Sequence, residues 1–184
     1  MRGANFLPSV SPLNVSGQNL ARLINLFNGR GDGQSMSDSE KRLLMCPENI
    51  HAGMKLGPVF YVVRPEQIEA FARGTRSTNP LFTGTSPAGD QIAPPTMRLQ
   101  DYALLIAAHF YGGSGGVHAK HWNEFHAPMR ANQPVKTEGR ITWVERKRGK
   151  FYFELEYESR DAVTDELLMR QAITSVLLQE GKIA

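Results

Sequence analysis

The chain has little that would point to secretion, thiolate metal binding or membrane insertion. Cys46 is the only cysteine in 184 residues, so the chain can form neither an internal disulfide nor a clustered thiolate site. No apolar run approaches the roughly 18 residues that span a bilayer, and the N-terminal residues lack the apolar core of a signal peptide. We therefore expect a cytoplasmic protein without a membrane segment.

An excess of one charge is also missing. The net charge is only +3 at pH 7, and no nucleic-acid-binding motif accompanies the clearest basic cluster, residues 146–150. Hydrophobic residues make up 41% of the chain and charged residues 21%, values that are ordinary for a globular protein. The composition therefore argues against a nucleic-acid partner and against a disordered chain.

Two regions differ in composition. Residues 1–35 are rich in Gly, Asn, Ser and Pro. One apolar stripe within them predicts an amphipathic helix: Leu20, Leu23, Ile24 and Phe27. A second short helix is predicted at about residues 37–44. We assign residues 1–52 to an N-terminal arm and residues 53–184 to one domain, which is long enough to bury a core without disulfides.

The domain is predicted to contain both strands and helices. Residues 59–63 form a strand of β-branched and aromatic residues, a helix follows, and residues 74–95 form a long loop. Residues 96–111 have apolar residues at intervals of three and four and are apolar on nearly all sides towards the end, which predicts a buried helix. Four more strands are predicted: 117–125, 136–145, 151–157 and 167–178. Good helix formers make a helix the alternative for the last segment. The fold class is α+β, with about five antiparallel strands around one buried helix.

Two short segments resemble a known family. Residues 77–82 read Ser-Thr-Asn-Pro-Leu-Phe, and residues 92–95 read Ile-Ala-Pro-Pro. They resemble the MaoC-like hydratases and dehydratases, which have Asp-x-Asn-Pro-aliphatic-His and Ile-Ala-His-Gly at these places. Residues 118–129 are similar to the second strand of that family and the Pro-containing turn after it. The resemblance covers roughly residues 53–180 and implies the hot-dog fold.

The chemistry of that family requires groups that are replaced here. In its active members, a carboxylate and an imidazole hold a water and exchange a proton with the thioester, while a backbone N–H stabilises the enolate-like oxygen. Ser77 stands at the Asp position and Phe82 at the His position, so neither side chain is a useful acid or base. Pro95 replaces the glycine and has no N–H. Asn79 and Pro80 are kept, so we expect the shape of the loop without its chemistry.

This altered pattern is similar to the FAS1-like, N-terminal branch of the MaoC-like family. The resemblance implies a half that shapes the pocket for an acyl-CoA or acyl-carrier thioester, in a heterodimer with a catalytic MaoC-like subunit or in a homodimer. Coenzyme A would then be part of the substrate, and no separate cofactor is expected. The predicted substrate-binding residues are Asn79, Pro80, Phe82, Ile92, Ala93, Pro94 and Pro95.

Three other residues are weaker candidates for acid–base chemistry: His118, His109 and Asp101. A simpler interpretation makes His109 a core imidazole bonded to a carbonyl, while Asp101 compensates a helix dipole. His118 and His121 are an odd number of residues apart on a strand and would face opposite sides, so no metal site is predicted. We interpret residues 146–150 as a hairpin tip, with contact to the phosphates of coenzyme A as the alternative.

Two functional alternatives remain open. The chain could be a non-enzymatic homodimer that binds acyl thioesters as a sensor or scaffold. It could also be a self-sufficient hydratase that uses relocated His or Asp residues. Dimerisation through a sheet edge is expected for a hot-dog domain in each case.

Overall fold

The computed structural model describes residues 42–112 and 116–177. The helix predicted at residues 20–27 lies outside the described residues, as does most of the helix predicted at 37–44. Where the second helix should end, the backbone is extended: β1 (Leu43–Leu44) pairs in parallel with β3 (Phe110–Tyr111). The prediction is wrong at this point because pairing with a distant segment outweighs the helix preference of two leucines.

Five strands form one antiparallel sheet in the order β2-β5-β6-β7-β4. Their bounds are Lys55–Val62 for β2, Gly116–Phe125 for β4, Pro134–Lys147 for β5, Lys150–Asp161 for β6 and Leu167–Leu177 for β7. The last segment is a strand rather than a helix, because it pairs with both β4 and β6. The expected α+β class with an antiparallel sheet is confirmed.

Two helices lie between β2 and the centre of the sequence. α1 (Pro65–Gly74) forms as predicted, with Pro in its first turn. The loop predicted at residues 74–95 contains a one-turn helix, α2 (Pro80–Thr83), which the sequence analysis missed. Asn79 caps α2 through its side-chain oxygen, and Pro80 suits the first helical position. The Asn-Pro pair therefore starts a one-turn helix inside an otherwise irregular segment.

One face of the sheet carries the main core. In β6, the buried apolar residues are Phe151, Phe153, Leu155 and Tyr157, each at most 5% exposed. They alternate along the strand and therefore share a face. Burying side chains of this size contributes roughly 1.5–3 kcal/mol each. Leu105 packs into the same cluster, so the central helix sits on this face.

The central helix is shorter and less enclosed than the sequence predicts. A 3-10 turn (Pro95–Arg98) comes first, and α3 (Tyr102–His109) follows after three residues. Leu105 is fully buried, but several other helix residues are exposed in the single chain: Ala103, Leu104, Ala107 and Ala108. The helix packs against the sheet as predicted, but in the single chain the sheet covers only the face of α3 that carries Leu105.

The last residues of the predicted arm pack against the domain. Ile50 is 3% exposed and belongs to the main core, and the N–H of Met45 donates to the carbonyl of Tyr111 at 3.0 Å. The domain boundary at residue 52 stays a prediction. Within residues 42–112 and 116–177, no helix combines the length and apolarity needed to cross a membrane.

Candidate functional site

A mainly apolar cavity of about 260 Å³ lies at the end of the sheet where β4 finishes and β5 and β7 begin. Its walls are residues 92–95, residues 125–129, Arg98, Leu168 and Met169. Such a lining suits a short hydrocarbon chain that carries few polar groups.

Backbone hydrogen bonds hold the opposite walls of the cavity together. The N–H of Ala93 donates to the carbonyl of Met129 at 2.8 Å. The N–H of Ala127 donates to the carbonyl of Leu168 at 3.3 Å, which ties the second wall to β7. The cavity is therefore framed by main-chain contacts, so its outline does not depend on side-chain packing alone.

The predicted substrate-binding residues divide into two groups. Four line the cavity: Ile92, Ala93, Pro94 and Pro95. The other three do not border it and belong to α2 or to its cap: Asn79, Pro80 and Phe82. The N–H of Ile92 donates to the carbonyl of Leu81 at 3.0 Å, so α2 holds the start of the cavity loop.

The hydrogen bonds of Ser77 and Phe82 join them to residues close by in the sequence. The Ser77 hydroxyl oxygen accepts a 3.4 Å hydrogen bond from the N–H of Asn79, and Oδ1 of Asn79 accepts from the N–H of Leu81 at 3.0 Å. The carbonyl of Phe82 accepts from Nε2 of Gln91 at 3.4 Å, and its half-buried ring lies outside the cavity lining. The Asn-Pro pair therefore shapes the loop, and neither Ser77 nor Phe82 supplies an acid or a base there.

Asp101 is the centre of a buried polar cluster beside the cavity. The side chain of Arg98 reaches it, with Nη2 2.5 Å from Oδ1. The Tyr61 hydroxyl donates to Oδ2 at 2.5 Å and the Ser159 hydroxyl donates to the same oxygen at 3.5 Å. The Arg98 guanidinium also lies over the Tyr61 ring, 4.0 Å from its centroid. Asp101 is thus enclosed by donors and only 2% exposed.

Burial dominates the electrostatics of this cluster. It raises the pKa of Asp101, although Arg98 and the two hydroxyls favour the carboxylate. Burial, together with the Asp101 charge, also raises the pKa of Tyr61. Because all the Asp101 contacts are internal, we interpret this residue as a structural anchor for the start of α3.

His109 is held by the main chain on both sides of its ring. The N–H of Gly57 donates to Nε2 at 3.2 Å, and Nδ1 donates to the carbonyl of Leu105 at 3.0 Å. This arrangement leaves neither ring nitrogen free to act on a substrate. The geometry therefore favours the structural interpretation of His109 over the catalytic one.

The predicted orientation of His118 and His121 is wrong. A β-bulge between His118 and Lys120 shifts the register, so His118 lies opposite Ser175 and His121 lies opposite Ile173. Those partners are two residues apart and share a face, and the two imidazole centroids are 6.4 Å apart. His118 packs edge-on against Tyr102 of α3 with ring centroids 4.5 Å apart. Burial and the neighbouring His121 lower the pKa of His118. No cluster of three metal-ligating side chains occurs in the described part of the chain.

Two charged regions lie away from the cavity. A larger groove of about 590 Å³ combines six charged side chains with five uncharged residues, namely Leu56, Gly57, Pro58, Gly139 and Tyr157. The basic segment 146–150 forms a hairpin tip between β5 and β6, as predicted. β5 begins near the cavity and runs 14 residues to the tip, about 45 Å at 3.3 Å per residue. The tip is therefore badly placed for a ligand whose acyl chain occupies the cavity.

Comparison with known families supports the sequence resemblance. The family described as FAS1-like, dehydratase domain region, matches residues 50–155, more than half of the chain. The chain belongs to this family. No curated protein matches the sequence.

Solved structures place the FAS1-like domain among the hot-dog folds. The truncated HadBC (3R-hydroxyacyl-ACP dehydratase) complex of Mycobacterium tuberculosis is similar with a TM-score of 0.59 and 22% identity, over 68% of this chain and 96% of that one. The MaoC-like dehydratase of Rhodospirillum rubrum has a TM-score of 0.59 and 14% identity, over 75% and 99%. The ChsH1-ChsH2 complex of M. tuberculosis has a TM-score of 0.55 and 13% identity, over 70% and 98%. At these identities the likeness shows the fold, and the predicted hot-dog architecture is confirmed.

Two polar side chains on the cavity wall of the FAS1-like domain, Arg98 and His126, are not among the residues predicted from the sequence. Arg98 precedes Asp101 by three residues, and opposite charges at this spacing can form an ion pair within one helical turn. His126 follows the end of β4, and its Nε2 is 3.2 Å from a carboxylate oxygen of Glu124. The spacing of Arg98 and Asp101 could have indicated their ion pair. No local sequence pattern indicates that His126 and residues 92–95 line the same cavity.

Proposed function

We propose that the chain is the acyl-thioester-binding subunit of an enoyl-thioester hydratase or dehydratase, and that a second hot-dog subunit supplies the acid and the base. The observation that carries the proposal is the apolar cavity, four of whose lining residues belong to the segment of the MaoC-like resemblance. The family membership and the dehydratase names of the similar folds support the same class of substrate.

The missing chemistry supports a division of labour between subunits. Ser77 and Phe82 replace the acid–base pair and do not border the cavity, while Pro95 borders it without an N–H to offer. Losing a general base removes about 10²–10⁴ in rate, and losing an oxyanion donor about 10²–10³. Because both losses fall at one half-site, this chain shapes the pocket while its partner moves the proton.

The edge strand β4 is the surface we assign to that partner. Among the described residues β4 pairs only with β7, so its other edge offers free backbone donors and acceptors. Val117, Trp122 and Phe125 on this strand are each about half exposed. Aromatic side chains are enriched at protein interfaces. HadBC and ChsH1-ChsH2 are complexes by name, which supports a heterodimer here.

The ligand we propose is an acyl chain joined through a thioester to coenzyme A or to a carrier protein. Coenzyme A would enter as part of the substrate, because the proposed reaction moves only water and protons and needs no separate cofactor. The distance of segment 146–150 from the cavity argues against that segment as the phosphate-binding site.

A binding experiment tests the cavity. Wild-type chain should bind hexanoyl-CoA more tightly than free coenzyme A, as measured by calorimetry. Ala127→Phe places a ring in the cavity from a partly exposed wall position and should abolish the difference. Ala52→Phe, at an exposed position outside the cavity, is the matched control and should bind as wild type does. Equal binding of hexanoyl-CoA to the wild type and to Ala127→Phe would show that the acyl chain does not bind in this cavity.

A second experiment tests the partner. Co-expression with a short hot-dog protein that carries the intact Asp-x-Asn-Pro-x-His pattern should give a heterodimer by native mass spectrometry. Trp122→Glu on β4 should dissociate it, whereas Trp143→Glu, exposed on β5 away from the edge, should not. A homodimer that excludes the second protein and hydrates no enoyl-CoA would instead support the sensor or scaffold alternative.

The cavity also gives the self-sufficient alternative a specific form. His126 and Glu124 form an imidazole–carboxylate pair, and His126 lines the cavity, so they are the best-placed relocated acid and base in the described residues. Under this alternative, the chain alone hydrates enoyl-CoA and His126→Ala removes most of that activity. Turnover unchanged by His126→Ala would exclude it.

A further inference from the structure

The central helix α3 carries an apolar face that the sheet does not cover. Leu105 is fully buried against the sheet, whereas four other residues of α3 are exposed: Ala103, Leu104, Ala107 and Ala108. Their spacing of one, three and four positions places them side by side on one face of the helix. A helix that is apolar on all sides is characteristic of full burial. A second element is therefore needed to cover this face of α3.

The N-terminal arm joins the domain beside this uncovered face. Nη1 of Arg42 donates to the carbonyl of Ala107 at 3.3 Å, and Ala107 is one of the exposed residues of α3. The residues after Arg42 form β1, which pairs with β3 directly after the end of α3. Leu43 of β1 and Tyr111 of β3 are 42% and 47% exposed, so exposed apolar side chains continue past the end of the helix. The chain that precedes Arg42 thus starts at the surface that lacks a cover.

One segment of the arm has a sequence pattern that suits this surface. The predicted helix has its apolar stripe at Leu20, Leu23, Ile24 and Phe27. Over residues 20–27 such a helix would be about 12 Å long, which equals the length of the eight residues of α3 at about 1.5 Å per residue. Residues 28–41 can span up to about 46 Å at roughly 3.3 Å per residue. The connection is therefore long enough for the stripe to lie along α3.

The covalent connection favours this segment over a second molecule as the cover. A tethered segment meets its binding surface at an effective concentration that does not depend on the concentration of the protein. A second copy of the chain would have to be bound from solution. An isolated helix as short as residues 20–27 is also marginal in water, and it gains its stability from packing of its apolar face. Contact with α3 would therefore bury both apolar surfaces at once.

We propose that residues 20–27 form a helix that packs on the face of α3 carrying Leu104 and Ala107. The central helix then lies between the sheet on one side and the N-terminal arm on the other. This interaction is within the chain, so the inference does not depend on the proposed function.

Hydroxyl-radical footprinting read by mass spectrometry tests the contact on the full-length chain. Leu104 and Val163, which lies in the turn before β7, are 37% and 41% exposed, so Val163 serves as the reference. After correction for intrinsic reactivity, Leu104 should be oxidised severalfold more slowly than Val163 at every protein concentration. Equal oxidation of the two residues would overturn the inference. Protection of Leu104 that disappears on dilution would also overturn it, since a second copy would then be the cover.

Variants in the arm assign the protection to the apolar stripe. Leu23→Asp combined with Phe27→Asp places two charges in the stripe and should raise the oxidation rate of Leu104 to that of the reference. Gln18→Asp combined with Asn25→Asp adds the same charge on the opposite side of the predicted helix and should leave Leu104 protected. Protection that survives in the first variant would refute the contact.

The reciprocal variant tests the contact from the side of α3. Leu104→Asp changes an exposed residue and leaves the core packing of Leu105 in place. It should increase the oxidation rate of Phe27 severalfold, because the face that covers the Phe27 ring would then carry a charge. Val163→Asp, at a similarly exposed position, is the matched control and should leave Phe27 unchanged. Equal oxidation of Phe27 in the wild type and in Leu104→Asp would contradict the proposed packing.

Discussion

Replacement of Asp101 by alanine should destabilise the protein more than any comparable surface change. Asp101→Ala removes the acceptor for Arg98, Tyr61 and Ser159 at once. The main effect is that the Arg98 charge stays buried without a counter-charge. Breaking a buried pair in this way costs about 3–5 kcal/mol. Since domains are typically stable by only about 5–15 kcal/mol, the loss would be a large part of the total.

The loss can be measured by urea and by thermal unfolding. For a chain of this length, Tm falls by about 2–4 °C per kcal/mol, so Asp101→Ala should lower Tm by roughly 6–20 °C. Asp90→Ala is the matched control, because Asp90 is exposed and sits 3.9 Å from an exposed Arg130. Exposed pairs of this kind contribute about 0–1 kcal/mol. A loss below 1 kcal/mol for Asp101→Ala would contradict the structural role and would reopen Asp101 as a catalytic group.

Two further predictions concern the sheet and its turn. Gly139→Ala should lower the free energy of unfolding in urea by about 1–3 kcal/mol or more, because its Cβ would lie 2.3 Å from the carbonyl oxygen of Glu156. Gly116→Ala is the control and should change it little, because the nearest atom to its Cβ would be 3.5 Å away. The pKa of Asp161 is lowered despite its burial, because Gln133 and two backbone N–H groups donate to its carboxylate. The ionised Asp161 therefore stabilises the fold above the usual Asp pKa, and this stabilisation is lost as the pH falls through the lowered pKa. Asp161→Asn should reduce the fall in the free energy of unfolding between neutral and acid pH, as measured by urea unfolding.

The strands were predictable because one face of the sheet is buried. In β6 the apolar residues alternate from Phe151 to Tyr157, and that period is a local property of the sequence. The pairing of β1 with β3 was not predictable, since two leucines near a helical pattern carry no sign of a partner more than sixty residues away. The exposed face of α3 was missed for a related reason: its sequence specifies an apolar surface but not what covers it.

The site was predictable only in part. The segment containing Ile92 and Pro95 was found through its resemblance to a family motif, and it does border the cavity. The facing wall at residues 125–129 and Met169 is brought there by the β4–β7 pairing, which single-sequence patterns do not reveal. The β-bulge after His118 was not predicted from the sequence, and its one extra residue places the imidazoles of His118 and His121 on the same face of β4.

The central claim is that this chain binds the acyl thioester while another subunit performs the acid–base chemistry. Its most direct test is the hydration rate of a six-carbon 2-enoyl-CoA, followed by loss of enoyl absorbance, for the purified chain and for its complex with a hot-dog subunit that has the intact motif. The account predicts no turnover above background for the chain alone and enzymatic turnover for the complex. Hydration by the chain alone at the rate of the complex would contradict it.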